Sequence, residues 1–361
     1  MRLIIQPDAW ISPLLKSIHK AKKSVKILIF RFDIAEIERA LVDAVKRGVF
    51  VQALIAFTNR GGEKTLRDLE MRFLSSGITV ARTSGDLVRY HGKMMIVDGK
   101  ELHIMGFNFT HIDIDHSRSF ATITRGRELI REAEVLFEAD SKRQEYEGRS
   151  RKFIVSPANA RKHLADFLKG AKKSLDIYDP KISDAAMIKI LEERALEGVK
   201  IRVIGKTIHC SIPNRELQIR LHARTIVRDE TDVFIGSQSL KKLELDSRRE
   251  IGVIFRDAKA AKRIASLFDD DWSKAKKRND SAQHIAPSKA AKKVAKAVAK
   301  KLPMKPFVEQ VVKAVHKKNG NRKVSSKEMQ KAVESSLKKM VQETVQDTTK
   351  QVVQDMVEEI A

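Results

Sequence analysis

The amino-acid sequence predicts an α/β protein: a duplicated mixed-sheet sandwich flanked by helices, with two halves about a pseudo-two-fold axis, followed by a helical, lysine-rich tail. Two observations predict the halves. Residues 1–260 repeat at an offset that changes once, and in each copy short apolar strands alternate with helices. A change of composition after Trp272 predicts the tail. The predicted boundaries are 1–148 for the first repeat, 149–275 for the second, and 276–361 for the basic linker and tail.

Each copy begins with a helix, a short apolar strand and a second helix, after which a glycine turn leads into another strand. At an offset of 150, Pro7 matches Pro157 and Gly48-Val49 matches Gly198-Val199. The strands predicted in this way are residues 25–30, 49–55, 175–178 and 199–204. Farther along the offset falls to 131, so the second copy lacks 19 residues of the first copy's middle. Equivalent residues of the two copies are expected to face each other across a seam.

The composition excludes several classes of protein. The chain has 361 residues, of which 42% are apolar, and its net charge is +24. Its one cysteine, Cys210, excludes an internal disulfide framework and a cysteine-rich metal centre, and indicates a reducing compartment. No apolar run approaches the ~18–20 residues that span a bilayer. A cytoplasmic protein is predicted, with peripheral attachment to a membrane as a further expectation.

The strongest pattern in the sequence is a motif that occurs once in each copy. The first copy reads HGKMMIVD from His91, and the second reads HARTIVRD from His222, so both fit H-x-[KR]-x4-D. The two matches lie at equivalent points of the repeat, at the offset of 131. This coincidence indicates a functional site that is shared between the copies.

The spacing within the motif favours phosphate chemistry. Lys93 lies two residues after His91 at the start of an apolar strand, so both side chains lie on one face. A cation can hold a nonbridging phosphate oxygen while the imidazole beside it attacks phosphorus or donates a proton. One half therefore has a nucleophile but no separate acid, and two halves have both. Asp98 and Asp229, which end the motifs, are interpreted as structural residues that pair with nearby backbone.

The paired motifs resemble those of the phospholipase D superfamily, and the resemblance covers roughly residues 1–260. It implies a phosphodiesterase that acts through a phosphohistidine and requires no metal or other cofactor. The residues it assigns to catalysis are His91, Lys93, His222, Arg224 and Glu250. The residues it assigns to substrate phosphate binding are Lys93, Asn108, Arg224, Ser237 and Ser239.

Three departures from the family pattern weaken the second motif and the segment after the first. Arg224 replaces the second lysine and presents a planar fork in place of a point charge. Ser239 replaces an asparagine and has a shorter reach. Met105-Gly106 stand where the family has Gly-Ser. The first motif itself is intact.

The resemblance also implies a carboxylate that reaches across the interface to orient a catalytic histidine. Glu250 occupies that position in the second copy, whereas its equivalent in the first copy is Ser119. The resemblance thus implies that Glu250 contacts His91. A carboxylate on one imidazole nitrogen fixes the tautomer and leaves the other nitrogen basic. His91 is therefore predicted to be the nucleophile and His222 the general acid. Only one histidine of the pair is expected to have a carboxylate partner.

A second group of residues resembles metal ligands in composition alone. Its members are His103, His111, Asp113, Asp115 and His116. Their spacing fits no zinc pattern, and the family resemblance implies no metal. These residues are interpreted as a polar loop near the mouth of the site.

The sequence leaves the substrate open between phospholipid and nucleic acid. The family's commonest activities favour phospholipid hydrolysis or phosphatidyl transfer. A metal-independent DNA or RNA nuclease is the alternative, and a non-catalytic phosphate-binding scaffold on DNA or a membrane is a second one. Residues 272–361 carry 21 Lys+Arg against 9 Asp+Glu, half of the net charge, and are expected to bind an anionic membrane or nucleic acid. An amphipathic last helix over 326–360 is expected to support self-association.

Overall fold

The computed structural model describes residues 1–57, 62–208 and 210–277. The lysine-rich run, the tail helices and the self-association predicted from the sequence lie outside these residues. Within the described part of the chain, no helix has the length and apolar character needed to cross a membrane.

The first half alternates strands and helices in the order that its sequence predicts. Its strands are β1 (Arg2–Gln6), β2 (Ser24–Ile29), β3 (Phe50–Ile55), β4 (Thr79–Arg82), β5 (Arg89–Tyr90), β6 (Met94–Val97), β7 (Glu101–Met105) and β8 (Ser117–Thr124). Its helices are α1 (Ser12–Lys20), α2 (Ala35–Lys46), α3 (Gly62–Ser75), α4 (His111–Asp115) and α5 (Arg127–Lys142).

The second half repeats this order in a shorter form. Its strands are β9 (Phe153–Val155), β10 (Ser174–Ile182), β11 (Lys200–Thr207), β12 (Asn214–Glu216), β13 (Arg220–Leu221), β14 (Arg224–Arg228), β15 (Asp232–Gly236), β16 (Arg248–Arg249), β17 (Ile251–Arg256) and β18 (Lys276–Lys277). Its helices are α6 (Ala160–Lys169), α7 (Ala185–Leu196), α8 (Lys242–Asp246) and α9 (Ala258–Lys274).

The two halves form two mixed sheets with the same strand order. The first sheet runs β1-β8-β7-β6-β2-β3-β4, and the second runs β9-β17-β15-β14-β10-β11-β12 with β18 at its edge. In each sheet a parallel pair, β2 with β3 or β10 with β11, adjoins antiparallel strands. The first half inserts α3 before β4, whereas the second passes from β11 to β12 without a described helix. The predicted duplicated mixed-sheet architecture is therefore confirmed, and α3 lies in the region where the second copy is shorter.

The two sheets share one apolar core and helices cover their outer faces, because each sheet is apolar on both sides. The shared core joins both sheets with α5 and α9, and includes Ile104, Phe120, Leu136, Tyr178, Ile235, Val253 and Phe268. On the outer face of the first sheet pack α1, α2 and α3, through residues that include Leu14, Leu41 and Phe73. On the outer face of the second pack α6 and α7, through Leu164 and Leu191.

A close approach of the two halves explains one departure from the family pattern. At Gly106, just after β7, an added Cβ would lie 3.0 Å from the carbonyl oxygen of Gly236 in the other half. It would also lie 3.1 Å from the carbonyl oxygen of Phe120. Both contacts are tighter than a carbon side chain tolerates without a shift of the backbone. The seam thus favours glycine at the position where the resemblance implies a serine.

The motif aspartates hold equivalent turns in the two halves. The Asp98 carboxylate accepts backbone N–H bonds of 2.7–3.1 Å from residues 22–24, just before and at the start of β2. Asp229 accepts the equivalent bonds from residues 172–174 at β10. Both aspartates have a positive φ, 54° and 52°. Their side chains therefore fasten the turn after the motif strand to the neighbouring strand.

Replacing Asp98 by alanine is expected to lower the free energy of unfolding by about 1–3 kcal/mol, because three backbone N–H groups lose their acceptor. Chemical denaturation of the two proteins measures this difference. Asp8→Ala, which removes an exposed carboxylate of the same half, is the matched control. Equal stability of the Asp98 variant and the wild type would show that the turn does not depend on the carboxylate.

Candidate active site

The two motifs meet where the halves of the molecule join. The imidazole rings of His91 and His222 lie with their centroids 6.4 Å apart and their planes at 86°. His91 follows β5, which pairs with β16 of the other half, and His222 follows β13, which pairs with β8 of the other half. Each histidine is therefore placed by a short strand that the opposite half holds.

Backbone hydrogen bonds across the seam fix both histidines. The His91 N–H donates to the carbonyl oxygen of Arg249 at 2.7 Å, and the His222 N–H donates to that of Arg118 at 3.0 Å. Each arginine is buried and bound in turn to an aspartate of α5 or α9, at 3.2 Å for Arg249 and 2.8 Å for Arg118. The positions of the two rings are thus tied to both sheets and to the helices beside them.

Three side chains surround His91. Its Nδ1 lies 2.9 Å from Oε2 of Glu250, which reaches across the seam. Nζ of Lys93 lies 2.8 Å from Nε2 and 3.1 Å from Nδ1, so its shorter contact is to Nε2. The ring of Phe30 packs edge-on at 4.6 Å between centroids. These contacts fit an imidazole that donates its Nδ1 proton to Glu250 and accepts a hydrogen bond from Lys93 at Nε2. The nitrogen that carries the lone pair therefore faces a cation.

Burial shifts the protonation of this trio. It lowers the pKa of His91 well below its usual value, and the charge of Lys93 adds to that shift, so the ring is neutral. Burial raises the pKa of Glu250 to about 7, with a contribution from the nearby carboxylate of Glu244. Burial also lowers the pKa of Lys93 to about 7, although Glu250 acts in the opposite direction. The site therefore holds a neutral imidazole between an acid and a base that both titrate near neutral pH.

His222 also faces a carboxylate, which the sequence interpretation did not expect. Oδ2 of Asp113, in the short helix α4 of the other half, lies 3.3 Å from Nδ1 of His222. Burial lowers the pKa of His222 well below its usual value, and Asp113 opposes that shift. Burial by itself would raise the pKa of Asp113, but His222 and Arg220 bring it well below its usual range. Asp113 is consequently ionised beside the second histidine.

The interpretation of Asp113 and its neighbours as a polar loop at the mouth is therefore wrong for Asp113, which is buried. The other members have separate partners: Nε2 of buried His103 lies 3.1 Å from Glu101, and Nδ1 of His111 lies 2.9 Å from Asp115. Across residues 1–57, 62–208 and 210–277, no group of three or more His, Cys, Asp and Glu is placed to hold a metal ion.

The two motif cations differ in what they contact. Lys93 is fully buried against His91, as described above. Nε of Arg224 donates to Oγ of Ser239 at 3.3 Å, while Nη1 of Arg224 is buried and has no hydrogen-bond partner among the described residues. Both cations lower the pKa of the histidines. An anion between the rings would meet Lys93 and the open Nη1 group.

The remaining predicted phosphate-binding residues make structural contacts. The backbone and side-chain amides of Asn108 both donate to Asp113, at 2.8 and 2.7 Å. The backbone N–H of Ser239 donates at 2.6 Å to the carboxylate of Glu244, which corresponds to Asp113 at the offset of 131. The hydroxyl of Ser237 accepts from the backbone N–H of Ile251 at 3.0 Å. These side chains position the walls of the site in this structure.

Parts of this chain are similar to known proteins. Residues 14–141 match the family model described as cardiolipin synthase, PLD-like domain. The chain is 31% identical over 121 residues to a mitochondrial cardiolipin hydrolase of Danio rerio. The aligned region covers 33% of this chain and 52% of that protein. It is 24% identical over 276 residues to a polyphosphate kinase of Vibrio vulnificus. This alignment covers 68% of this chain and 39% of that protein.

A solved structure extends the likeness over both halves. The polyphosphate kinase of Porphyromonas gingivalis superposes with a TM-score of 0.64 at 17% identity, over 78% of this chain and 50% of that one. The chain thus spans half or less of the length of the polyphosphate kinases that it matches. The family model over residues 14–141 confirms the resemblance to the phospholipase D superfamily, and the solved structure shows a shared fold over both halves.

Proposed function

We propose that this phospholipase D-like protein is a phosphodiesterase that acts through a phosphohistidine on phospholipid, by hydrolysis or by phosphatidyl transfer. One observation carries the proposal: the two motif histidines face each other at 6.4 Å, with a carboxylate behind each and Lys93 at the reactive nitrogen of His91. A neutral imidazole with an oriented lone pair is a nucleophile. A second imidazole on the other side of the phosphorus can serve as acid.

In the first step His91 is the nucleophile. Its Nε2 lone pair forms a bond to phosphorus while the bond from phosphorus to the leaving oxygen breaks. Lys93 turns from Nε2 to a nonbridging oxygen, and Arg224 offers its open Nη1 group to the same phosphate. Glu250 keeps the Nδ1 proton of His91 and balances the positive charge that the ring gains.

His222 completes the reaction as acid and then as base. The negative phosphate and Asp113 both favour its protonated form, so the ring takes up a proton when substrate enters. Its Nε2 proton passes to the leaving oxygen. In the second step a water, or an acceptor alcohol, gives a proton to Nε2 of His222 and its oxygen displaces Nε2 of His91 from phosphorus. His91 is then neutral again, and His222 returns to its neutral resting form by releasing to solvent, as the product leaves, the proton that it took up when substrate entered.

The choice of phospholipid rests on the comparisons rather than on a contact of the site. The matched family model and the relative of highest identity reported above both carry cardiolipin in their descriptions. We further propose that the protein is cytoplasmic and attaches peripherally to anionic membrane, with the basic tail contributing charge and the last helix supporting self-association. Nucleic acid is the alternative surface for the same tail.

The proposal predicts turnover of bis(p-nitrophenyl) phosphate and of phosphatidylglycerol or phosphatidylcholine vesicles, with an acid-labile phosphoenzyme trapped by rapid quenching. Plasmid DNA assayed beside them distinguishes the nuclease alternative. Lys93→Met is expected to lose activity on every substrate, whereas Lys100→Met, which removes an exposed lysine, serves as the matched control. Cleavage of DNA without cleavage of lipid would replace the lipid assignment. Binding of phosphate compounds without turnover would favour the scaffold alternative.

A further inference from the structure

We propose that Asp113 is the positioning residue for His222, and that it replaces the carboxylate that the first repeat lacks at Ser119. The inference rests on the proposed function and deepens it, because it explains how the half with the weakened motif still contains an oriented acid. Neither the motif nor the family pattern assigns this role to Asp113.

The position of Ser119 leaves the second histidine without the partner that the first one has. Ser119 corresponds to Glu250 at the offset of 131, and it lies on β8 next to Arg118, whose carbonyl binds the His222 backbone. In the same way Glu250 follows Arg249, whose carbonyl binds His91. The Ser119 hydroxyl is fully buried and has no hydrogen-bond partner among the described residues. A serine side chain at this position is too short to contact His222 as Glu250 contacts His91.

Asp113 approaches the same histidine from a different element. It lies six residues earlier, on α4. Its Oδ2 atom lies 3.3 Å from Nδ1 of His222, which is an ion-pair distance, and Nδ1 has no hydrogen-bond partner among the described residues. The corresponding distance between Glu250 and His91 is 2.9 Å. Asp113 is 1% exposed, so its charge acts with little screening by solvent. The two carboxylates thus stand behind the two histidines on opposite sides of the seam.

Further contacts hold the Asp113 carboxylate in place and keep it ionised. The backbone and side-chain amides of Asn108 donate to Oδ2, and the guanidinium of Arg220 pairs with Oδ1. Arg220 belongs to β13, which ends just before His222, so the ion pair and the contact to the histidine both cross the seam. A carboxylate with these partners stabilises an imidazolium more than a neutral imidazole. The contact therefore matters most when His222 carries the proton that it donates.

The second repeat supports a division of labour between the two carboxylate positions. Glu244 corresponds to Asp113 at the offset of 131 and accepts the equivalent backbone bond from Ser239. The second repeat thus has carboxylates at both positions, Glu244 and Glu250, and Glu250 contacts His91. The first repeat has one, at Asp113. With Ser119 in place of a glutamate, Asp113 is the carboxylate of that repeat that reaches the opposite histidine.

The test is a rescue in the full-length protein. Asp113→Asn is expected to lower kcat/KM on an alkyl phosphodiester by about 10²–10⁴-fold, and on bis(p-nitrophenyl) phosphate by much less, because general-acid catalysis matters most for a basic leaving oxygen. Adding Ser119→Glu to this variant should restore most of the loss on the alkyl substrate. Asp115→Asn, which neutralises a half-buried carboxylate on the same short helix that contacts His111 and not His222, is the control. An equal loss on both substrates, or no rescue in a folded double variant, would overturn the inference.

A measurement on the unaltered protein keeps the test independent of turnover and of the folding of the variants. Nitrogen-15 spectra of the histidines report which ring nitrogen carries the proton and how it titrates. We expect His222 to rest with its proton on Nδ1, towards Asp113, and its pKa to rise when inorganic phosphate is added. A proton on Nε2 in the resting protein would contradict the role of Asp113. Absence of turnover with the Nδ1 form present would instead reject the proposed function and leave the positioning contact intact.

Discussion

Replacing His91 by alanine is expected to abolish turnover and the acid-labile phosphoenzyme, whereas replacing His222 is expected to preserve formation of the phosphoenzyme from substrates with good leaving groups. The neutral ring of His91 has a lone pair at Nε2 and a carboxylate at Nδ1, which are the two requirements for a nitrogen nucleophile. Without it no covalent intermediate can form. His222 supplies a proton, and that contribution depends on the basicity of the oxygen that leaves.

The measurement is a comparison of rates over a series of aryl and alkyl phosphodiesters. His222→Ala should lose about 10²–10⁴-fold on the alkyl members and much less on the nitrophenyl ones. The phosphoenzyme should accumulate in this variant, because the second step loses its base. His19→Ala, which removes an exposed ring far from the motifs in sequence, is the control. If both site variants lose activity equally across the series, the assigned roles are wrong.

Much of the architecture could be predicted because the two copies of the repeat have matching residues at constant offsets in the sequence. The strands expected at 25–30 and 49–55 are observed at Ser24–Ile29 and Phe50–Ile55. The strand expected at 175–178 continues to Ile182, because Asp179 and Lys181 are buried in it rather than exposed in a loop. Charged side chains in a strand normally indicate its end. Here tertiary burial overrides that signal.

The meeting of the two motifs could also be inferred, since equivalent residues of a duplicated fold approach each other at its axis. The short strands that bring the two motifs together could not be predicted. The strands β5, β13 and β16 have two residues each, and a two-residue strand leaves no periodic pattern to detect. They nevertheless carry the pairing across the seam that places both histidines.

The sequence contained a signal for Asp113 that the motif analysis passed over. At the offset of 131 Asp113 matches Glu244, so both copies have a carboxylate at this point of the repeat. The contact with His222 joins residues that are 109 positions apart, and only the paired halves bring them together. A shared carboxylate in two equivalent positions was the more informative observation.

Replacing Glu250 by glutamine is also expected to cause a large loss of activity. Glu250→Gln keeps the volume of the side chain and removes the charge that balances the cationic ring of His91. We expect kcat/KM to fall by about two to four orders of magnitude, the scale seen when the carboxylate behind a catalytic histidine is lost. Circular dichroism and thermal melting check that the variant folds. Glu145→Gln, which neutralises an exposed carboxylate, is the control.

The pH dependence of the same pair gives the sharper test. In the wild type Glu250 must be ionised, so kcat/KM should fall as the pH drops below its pKa of about 7. Lys93 must be protonated, so the rate should also fall as the pH rises above its pKa of about 7. The profile is therefore expected to be a narrow bell near neutral pH, whose two limbs belong to the coupled pair.

In Glu250→Gln the acid limb should disappear. Because Glu250 raises the pKa of Lys93, the alkaline limb should move to lower pH in that variant. An acid limb that persists unchanged would show that another group limits the reaction there, and Glu250 would then only support the strand beside His91.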